Sequence, residues 1–195
     1  PATDIAEWGP PKIFLAGVGE LMTEVAGEVC DGFLCHGFTT EKYLREVTIP
    51  ALERGRAKAG KTMEGFEIMG PSFVVTGSDE AQLAKAADGT RQQIAFYGST
   101  PAYRGVLDIH GWGGLQEELN AMSKQGEWQR MGTLIDDEIL NTFAVVGEPE
   151  SIDTRNDPRL SRIFSNKVIR VYPAFREFYG MEETIEQIVA YFKHA

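Results

Sequence analysis

Three short apolar runs alternate with more polar segments along the first half of the chain. The runs are KIFLAGVG (12–19), GFLCHGF (32–38) and FEIMGPSFVVTG (66–77), and each of them contains glycine. Short apolar runs that are bounded by turn residues are typical of buried β-strands. The pattern therefore predicts three strands, and the segment after each strand is a candidate helix.

The segment after the first run has the spacing of an amphipathic helix. Residues 20–31 place Leu21, Val25 and Val29 in one apolar stripe, with Met22 and Ala26 beside it. Apolar residues that recur every three to four positions indicate one face of an α-helix. The pattern therefore predicts a helix over residues 20–31.

Two further helical segments follow the second and third runs. Residues 40–59 carry another apolar stripe, for which Thr39 or Thr40 is a suitable N-cap. Pro50 is expected to break or kink this helix, because proline lacks the amide proton that the helix needs. A third helix is expected to open at Asp79.

This alternation of strands and helices predicts an α/β fold with parallel strands and right-handed crossovers. Residues 113–147 carry helical patterns instead. Three parallel strands do not close a barrel, and they leave two sheet edges unpaired. If the chain belongs to an eight-stranded barrel, the missing strands are expected to precede Pro1. The first residue is proline and not methionine, so we expect the chain to be a piece of a longer protein.

The composition is that of a folded protein whose charge is unevenly distributed. The chain has 195 residues, of which 43% are hydrophobic and 25% are charged. The net charge of −10 argues against nucleic acid as the main partner. Residues 154–195 have a net charge of +2, whereas residues 1–153 have −12, and such a shift indicates a domain boundary. No apolar run approaches the ~18 residues of a membrane helix, so no membrane partner is expected.

The two cysteines lie close to a histidine. Cys30, Cys35 and His36 form a C-x4-C-H cluster. Such a cluster can bind a metal, but no second pair of ligands follows at a usual spacing. Two small buried side chains in a reduced, cytoplasmic protein are favoured, and no metal site is predicted.

The first predicted strand ends in a glycine-containing loop before the first predicted helix. The loop residues are Ala16, Gly17, Val18 and Gly19. Glycines allow close approach of a ligand, and a helix start offers unpaired amides and the positive end of the dipole, which suits a phosphate. A tight turn from strand to helix uses the same glycines. At the neighbouring strand end, His36 is either a donor to a ligand or a packed, hydrogen-bonded histidine.

Three acidic residues are consecutive in the second half of the chain. Asp136, Asp137 and Glu138 could include a general acid–base pair, which would need two carboxyl groups in one pocket. Consecutive residues at a helix start point in different directions. We therefore favour acids that stabilise a helix N-terminus.

Three stretches between about residues 8 and 149 carry a family resemblance. They are IFLAGVGELMTEVAGEVCDGFLCHGF, RQQIAFYGSTPAYRGVLDIHGWGGLQEELNAMSKQGEW and DDEILNTFAVVGEP. They resemble the luciferase-like monooxygenase superfamily, and most of all its F420-dependent (deazaflavin) oxidoreductase branch. The resemblance implies the C-terminal half of a (β/α)8 TIM-type barrel, with residues 32–35 and 68–75 as its last two strands.

The resemblance also implies site residues and an enzymatic activity. The implied cofactor is coenzyme F420, with FMN as the alternative, and its phosphate is expected on the loop amides. The implied cofactor-binding residues are Ala16, Gly17, Val18, Gly19, Cys35, His36 and Gly37. The substrate-side candidates are Tyr97, Tyr103, Arg104, His110 and Trp112, which packing or a subunit contact would explain equally well. The implied reaction is hydride transfer between the deazaflavin and a small organic substrate, and no proton donor is assigned.

The last part of the chain resembles a different family. RLSRIFSNKVIRVYPAF and FYGMEETIEQIVAYFKHA, within about residues 153–195, are similar to PrkA-type serine protein kinases just upstream of their nucleotide-binding loop. We expect no G-x-x-x-x-G-K-[ST] phosphate loop anywhere in the chain. We predict a partial barrel over residues 1–150 and a mainly helical, kinase-like segment over residues 151–195. The two resemblances meet at Gly147–Pro149.

Three functional hypotheses follow. The favoured one is an F420- or FMN-dependent oxidoreductase that is weakly active or inactive as this fragment. The others are a kinase-associated protein and an interaction fragment without catalysis. The partners expected for the first are a small-molecule substrate and either a homo-oligomer or another chain that completes the barrel.

Overall fold

The computed structural model describes residues 9–147 of the chain. The chain is divided after Ser151 into two units, and every described residue lies in the first of them. The mainly helical segment that the sequence predicts over residues 151–195 lies outside the described residues. The domain assignment to residues 1–150 and 151–195 stays a prediction.

Short parallel strands and helices make up the described part of the chain. The strands are β1 (Phe14–Ala16), β2 (Gly32–Leu34), β3 (Glu67–Met69), β4 (Phe73–Val75) and β5 (Ala144–Val146). The helices are α1 (Glu20–Val29), α2 (Glu41–Tyr43), α3 (Ile49–Lys58), α4 (Glu80–Gly98), α5 (Arg104–Asp108), α6 (Gly113–Lys124), α7 (Trp128–Met131) and α8 (Asp137–Phe143). None of these helices is both long enough and apolar enough to cross a membrane.

The strands form two separate parallel sheets. In the first sheet the order is β1–β2–β3, and Phe33 of β2 is paired with Leu15 on one side and Ile68 on the other. In the second sheet β4 is paired with β5. The α/β class and the parallel pairing of the strands are therefore as predicted.

The third apolar run is not one strand, contrary to the prediction from the sequence. Residues 66–77 contain both β3 and β4, which belong to different sheets. The strand is interrupted at Gly70 and Pro71. A Cβ atom at Gly70 would lie 2.8 Å from the Cβ of Cys35, and proline has no amide proton for a sheet hydrogen bond. The implied last strand over residues 68–75 is wrong for the same reason, and the sequence analysis missed β5.

The predicted helix starts are confirmed by their caps. The Thr40 hydroxyl accepts a hydrogen bond from the amide of Tyr43 at 3.2 Å, and Asp79 accepts one from Gln82 at 2.8 Å. Asp136 caps α8 by accepting from the amide of Ile139 at 2.9 Å, so these acids lie at a helix N-terminus. A hydroxyl or carboxylate oxygen at this position pairs an amide that the helix itself leaves free.

Pro50 does not break its helix. A π-helical turn, Leu44–Thr48, joins α2 to α3, and Pro50 is the second residue of α3. The wider turn accommodates proline, which cannot donate the usual helical hydrogen bond. The helical path therefore continues from Glu41 to Lys58.

The two flanks of α1 differ in what covers them. On one flank α1 lies against α3 so closely that a Cβ atom at Gly55 would lie 1.9 Å from the carbonyl oxygen of Glu24. The predicted apolar stripe lies on other positions of the helix and is exposed: Leu21 by 82%, Val25 by 43% and Val29 by 63%. The helix prediction is correct, but the buried positions of α1 are Thr23, Ala26 and Gly27.

The strands are also less covered than their apolar sequences predict. Leu34, Met69 and Val74 each expose more than a third of their side chain. The larger of the two buried clusters lies mainly among the later helices and includes Phe38, Ile94, Leu107 and Leu119. The smaller one joins Phe33 to α1 and α3. The expectation that these strands are buried is therefore wrong for Leu34, Met69 and Val74.

Candidate functional site

The loop between β1 and α1 presents backbone amides at a helix N-terminus. Gly19 precedes the first residue of α1 and has φ 81° and ψ 159°, a conformation that is essentially restricted to glycine. The amide and the hydroxyl of Thr23 both donate to the carbonyl of Gly19, at 3.2 and 2.9 Å, and hold the loop in place. The amides of Gly17 and Val18 donate no hydrogen bond to another described residue. They are available to a ligand.

This loop lines a cleft together with the end of the neighbouring strand. Gly17, Val18 and Gly19 lie on it, as do Cys35 and His36 after β2. The cleft contains about 380 Å³ of empty space, counted with the part that is open to solvent. The structure thus brings together most residues of the predicted cofactor set.

Two members of the predicted cofactor set do not line the cleft. Ala16 is the last residue of β1 and comes immediately before the loop. Gly37 follows His36, and a Cβ atom built on it would lie 3.4 Å from Cγ of Pro71. Both belong to segments that shape the cleft rather than to its lining.

His36 is held in one orientation at the cleft. Its Nδ1 accepts a hydrogen bond from the amide of Phe38 at 3.0 Å, so the proton of the neutral ring is on Nε2. The ring is stacked on Tyr103 and meets the edge of Tyr97, both at 4.7 Å between centroids. Partial burial lowers the pKa of His36, which keeps the imidazole neutral. The ring is therefore packed and hydrogen-bonded, which is one of the two interpretations from the sequence, and its role as a donor to a ligand stays a prediction.

The cysteines behave as packed side chains. Cys30 is buried, Cys35 is partly buried, and both are free thiols. Burial raises the pKa of the Cys35 thiol to about 11, so it stays protonated at neutral pH. Among residues 9–147, no cluster of three or more histidine, cysteine or acidic side chains is arranged to hold a metal ion.

The substrate-side candidates fall into two groups. Tyr103 lines the cleft, and Tyr97 is in contact with both Tyr103 and His36. Arg104, His110 and Trp112 do not line it. Arg104 forms ion pairs with the carboxylates of Asp108 and Glu117, at 3.4 and 2.9 Å, along the helices α5 and α6.

His110 and Trp112 form a separate unit. Their rings are stacked at 4.6 Å between centroids, and Nε2 of His110 is 2.8 Å from the Thr40 hydroxyl. The pKa of His110 is lowered, first by burial and then by the positive charge of Lys42. This unit ties the loop after α5 to the start of α2, which is a packing role.

Several cleft residues were missed by the sequence analysis. Thr23, Thr39 and Tyr43 line the cleft with the aromatic rings of Phe33 and Phe38. Thr23 lies four residues after Gly19, and this spacing would have placed it next to the loop on a helix. Nothing in the sequence indicates that Tyr43 reaches the same cleft.

The negative charge nearest to the loop is paired. Glu20 is the first residue of α1 and would oppose an anion on the loop amides. Its carboxylate accepts from the Arg54 guanidinium at 2.8 Å, and the same guanidinium donates to Glu24. The ion pair reduces the repulsion between Glu20 and an incoming anion.

The residue pattern of a nucleotide phosphate loop does occur in the described part of the chain, so the expectation that the chain contains none is wrong. Residues 55–62 read GRAKAGKT, which matches G-x-x-x-x-G-K-[ST]. They lie at the C-terminal end of α3, where the amide of Gly60 donates to Ala57 and that of Lys61 donates to Arg56. This is a Schellman cap, with Gly60 at φ 66°.

A phosphate loop needs the opposite arrangement. It follows a strand and leads into a helix N-terminus, whose free amides hold the phosphates. Here the amides are used within the cap, and the end of α3 is the negative end of its dipole. Gly55 is required by the contact with α1 and not by a ligand. The segment is therefore not a nucleotide site.

Comparison with protein families gives two matches. The family described as "Luciferase-like monooxygenase" matches residues 1–156, and "PrkA AAA domain" matches residues 130–195. The two matches overlap near the junction that the sequence analysis placed at Gly147–Pro149. Both resemblances seen in the sequence are confirmed.

Individual proteins repeat this division. "Uncharacterized protein Rv1360" of Mycobacterium tuberculosis (strain ATCC 25618 / H37Rv) is 56% identical over 142 residues, which are 73% of this chain and 42% of that protein. The "Serine/threonine kinase YeaG" of Escherichia coli (strain K12) is 68% identical over 50 residues, 26% of this chain and 8% of the kinase. The chain thus spans about two fifths of the length of the first relative and a small part of the second.

Two solved structures have a similar fold. The coenzyme F420-dependent tetrahydromethanopterin reductase from Methanopyrus kandleri has a TM-score of 0.61 at 21% identity, over 80% of this chain and 43% of the reductase. An F420-dependent secondary alcohol dehydrogenase, in complex with an F420–acetone adduct, has a TM-score of 0.54 at 15% identity, over 80% and 41%. These likenesses concern the fold. Taken with the family match over residues 1–156, they lead to one conclusion: the chain belongs to the luciferase-like monooxygenase family.

Proposed function

We propose that the cleft between the β1–α1 loop and the end of β2 is the cofactor site of a coenzyme F420-dependent oxidoreductase. The single observation that carries the proposal is that Gly17–Gly19, His36 and Tyr103 meet in one cleft. The similar folds of two F420-dependent enzymes support this choice of cofactor over FMN. Bound F420 would supply a hydride donor or acceptor.

The groups in the cleft suit a phosphate-bearing cofactor with a flat ring. The amides of Gly17 and Val18 and the positive end of α1 match the negative charge of a phosphate group. Nε2–H of His36 is a second donor, because Nδ1 is already used by Phe38. The rings of Tyr103 and Tyr97 hold the imidazole in place and exclude water from one of its faces.

We assign the remaining predicted residues by their position. Cys35 packs against the cofactor as a protonated thiol, and Ala16 and Gly37 fix the backbone on either side of the cleft. Tyr97 and Tyr103 are retained on the substrate side, whereas Arg104, His110 and Trp112 serve packing. The substrate is a small organic molecule, and the protein acts in the cytoplasm.

The proposal extends to the architecture of the whole chain. Residues 1–150 are the C-terminal half of a (β/α)8 barrel, and residues 151–195 are a non-catalytic piece of a PrkA-like protein. A half barrel lacks the strands that would close around the cofactor and exclude water from the cleft. We expect weak cofactor binding and little or no turnover for this chain alone.

Titration with oxidised F420, followed by its fluorescence, tests the cofactor assignment. We expect saturable binding that is stronger than the binding of FMN or ATP. His36→Leu removes one hydrogen-bond donor, which contributes about 1 kcal/mol, and should weaken binding about fivefold. The matched control is His110→Leu, which removes a half-buried histidine outside the cleft. Equal loss in both variants, or no saturable binding by the wild type, would refute the assignment.

The second candidate is a kinase-associated protein without catalysis of its own, and the match of residues 130–195 favours it. The GRAKAGKT segment gives it no nucleotide site, because that segment caps the C-terminal end of α3. Saturable binding of ATP without binding of F420 would support this candidate against the first.

A further inference from the structure

A π-helical turn carries two hydroxyl-bearing residues to the wall of the cleft. The turn, Leu44–Thr48, is closed by a hydrogen bond from the amide of Ile49 to the carbonyl of Leu44, five residues back. Tyr43 comes immediately before the turn and Thr48 is its last residue, and both of them line the cleft. Turns of this kind are rare, and they are frequently found at functional sites.

The wide turn explains why Tyr43 and Thr48 reach the same cleft. In a regular α-helix, residues that are five positions apart point in directions that differ by about 140°. A hydrogen bond that spans five residues widens the turn, so residues five apart come closer to one side of the helix. The turn also accommodates Pro50, but the proline does not explain why the residues at both ends of the turn carry hydroxyl groups.

Thr48 is buried and its hydroxyl is unpaired within the described part of the chain. The residue is 6% exposed, and its hydroxyl forms no hydrogen bond with another residue between 9 and 147. Thr23 is equally buried and shows the usual situation, because its hydroxyl donates to the carbonyl of Gly19 at 2.9 Å. Burial of a polar group without a hydrogen bond costs free energy. An unpaired hydroxyl on the wall of a cleft therefore indicates a ligand.

The hydroxyl of Tyr43 lies at the end of the cleft that holds the loop. Its pKa is raised, first by burial and then by the negative charge of Glu20, which is the residue after Gly19. A Cβ atom built on Gly105 would lie 3.6 Å from the hydroxyl oxygen, which also places it next to α5. This hydroxyl forms no hydrogen bond with another described residue. The phenol stays protonated at neutral pH and can donate to an anion.

The loop covers a bound phosphate from one direction only. A phosphate group has several oxygen atoms that accept hydrogen bonds, and the amides of Gly17 and Val18 both belong to the loop. We propose that a phosphate in the cleft is held from two sides, by these amides and by the hydroxyl groups of Tyr43 and Thr48. This proposal rests on the phosphate-binding cleft of the proposed function, and it adds two binding residues to that cleft.

Titration with inorganic phosphate tests this inference without the ring of the cofactor. Phosphate is added to the whole 195-residue chain, and the amide NMR signals of Gly17 and Val18 report binding. We expect saturable shifts for the wild type. Tyr43→Phe and Thr48→Val each remove one hydroxyl and should weaken the binding about fivefold, and the double variant should weaken it at least about tenfold.

The matched control is Thr90→Val. Thr90 is a buried threonine of α4, 9% exposed, and it does not line the cleft, so its loss should leave the affinity for phosphate unchanged. Urea denaturation separates a binding role of Thr48 from a structural one. Thr48→Val removes no hydrogen bond to a described residue, so the urea midpoint of the free protein should be unchanged or higher. A lower midpoint with unchanged affinity would mean that the hydroxyl serves the fold.

Two further results would overturn the inference. The first is the absence of saturable shifts at Gly17 and Val18 in the wild type. The second is a double variant that binds phosphate as tightly as Thr90→Val does. Titration of the same proteins with F420 keeps this test apart from the cofactor assignment. If the double variant binds F420 with wild-type affinity, the inference fails and the assignment stands. If phosphate binding requires both hydroxyls but F420 does not bind, the assignment fails and the inference stands.

Discussion

Two glycine-containing segments of this protein lie at opposite ends of helices. Gly17–Gly19 leads into the N-terminus of α1, whereas Gly55–Thr62 includes the C-terminal end of α3. The second segment has the complete letters of a nucleotide phosphate loop, and the first has none of its specific residues. Only the first leaves amides available to a ligand.

The difference shows that a phosphate-binding pattern depends on helix direction. At the N-terminus of a helix the amides have no intrahelical partner and the dipole is positive, and at the C-terminus both conditions are reversed. The Schellman hydrogen bonds of Gly60 and Lys61 confirm which end this is. Whether a glycine-containing segment can bind phosphate therefore depends more on its position in a strand–loop–helix unit than on its match to the sequence pattern.

The largest expected effect distinguishes packing from binding at Gly55. Gly55→Ala places a Cβ atom 1.9 Å from the Glu24 carbonyl oxygen, so α1 and α3 must separate. We expect the free energy of unfolding to fall by about 3 kcal/mol, measured by urea denaturation. The control is Gly89→Ala in α4, which meets no atom within 4 Å and should gain about 0.5 to 1 kcal/mol. A stable Gly55→Ala protein would mean that the two helices are not in this contact.

The next effect compares the two glycines with positive φ. Gly19→Ala and Gly60→Ala both impose a strained backbone, which costs about 1 to 3 kcal/mol in each case. Gly19→Ala should also weaken F420 binding about tenfold, because it displaces the loop amides, and Gly60→Ala should leave the affinity unchanged. Fluorescence titration of both variants checks this. An equal loss of affinity would remove the contrast between the two segments.

A smaller effect concerns pH. The pKa values of His36 and His110 are lowered in the folded protein, mainly by burial, so the unfolded chain takes up protons first as the pH falls below about 6.5. Stability is complete above that pH and declines towards the folded-state pKa values, by less than about 1 kcal/mol because both rings are partly exposed. Urea midpoints at pH 7.5 and 5.5 measure the decline.

The variant His36→Asn assigns part of that decline to the cleft. It should reduce the dependence on pH and leave the contribution of His110. Lys58 and Arg54 lower the pKa of Glu24 below its ordinary value of 4.5. Glu24 therefore stays ionised between pH 7.5 and 5.5 and does not contribute to the decline in stability. If His36→Asn has the full decline of the wild type, His36 does not have the environment described.

The smallest effect is expected at Lys61. In a true phosphate loop this lysine would contact the nucleotide, and its loss would abolish binding. Here Lys61→Ala should leave the heat signal on ATP addition unchanged. It should change the free energy of unfolding by no more than about 0.5 kcal/mol, because the side chain is on the surface. Isothermal titration with ATP and urea denaturation measure the two quantities.

The helices could be predicted well from the sequence because their signals are local. Thr40, Asp79 and Asp136 each cap the helix that follows them, as their residue types predict. The break between β3 and β4 could have been suspected from Pro71, but the separation into two sheets could not. That separation depends on the pairing of β4 with β5, which is almost seventy residues further along the chain.

The candidate site was predictable in part. The loop and His36 follow directly from strand ends that are neighbours in a parallel sheet. The exclusion of Arg104, His110 and Trp112 from the cleft was not predictable, because aromatic and basic residues after a helix have no signal that separates packing from binding. Tyr43 reaches the cleft through the packing of α2, which no local pattern encodes.

The sequence by itself determined the α/β class, the helix starts, the glycine loop and the apolar stripe of α1, because each depends on residues within one or two turns of the chain. The tertiary structure alone decided which face of α1 is covered, where the third run divides, which aromatic residues meet His36, and that GRAKAGKT ends a helix instead of starting one. These outcomes depend on contacts between distant segments and on the direction of a helix relative to its neighbours, and neither is fixed by the order of nearby residues.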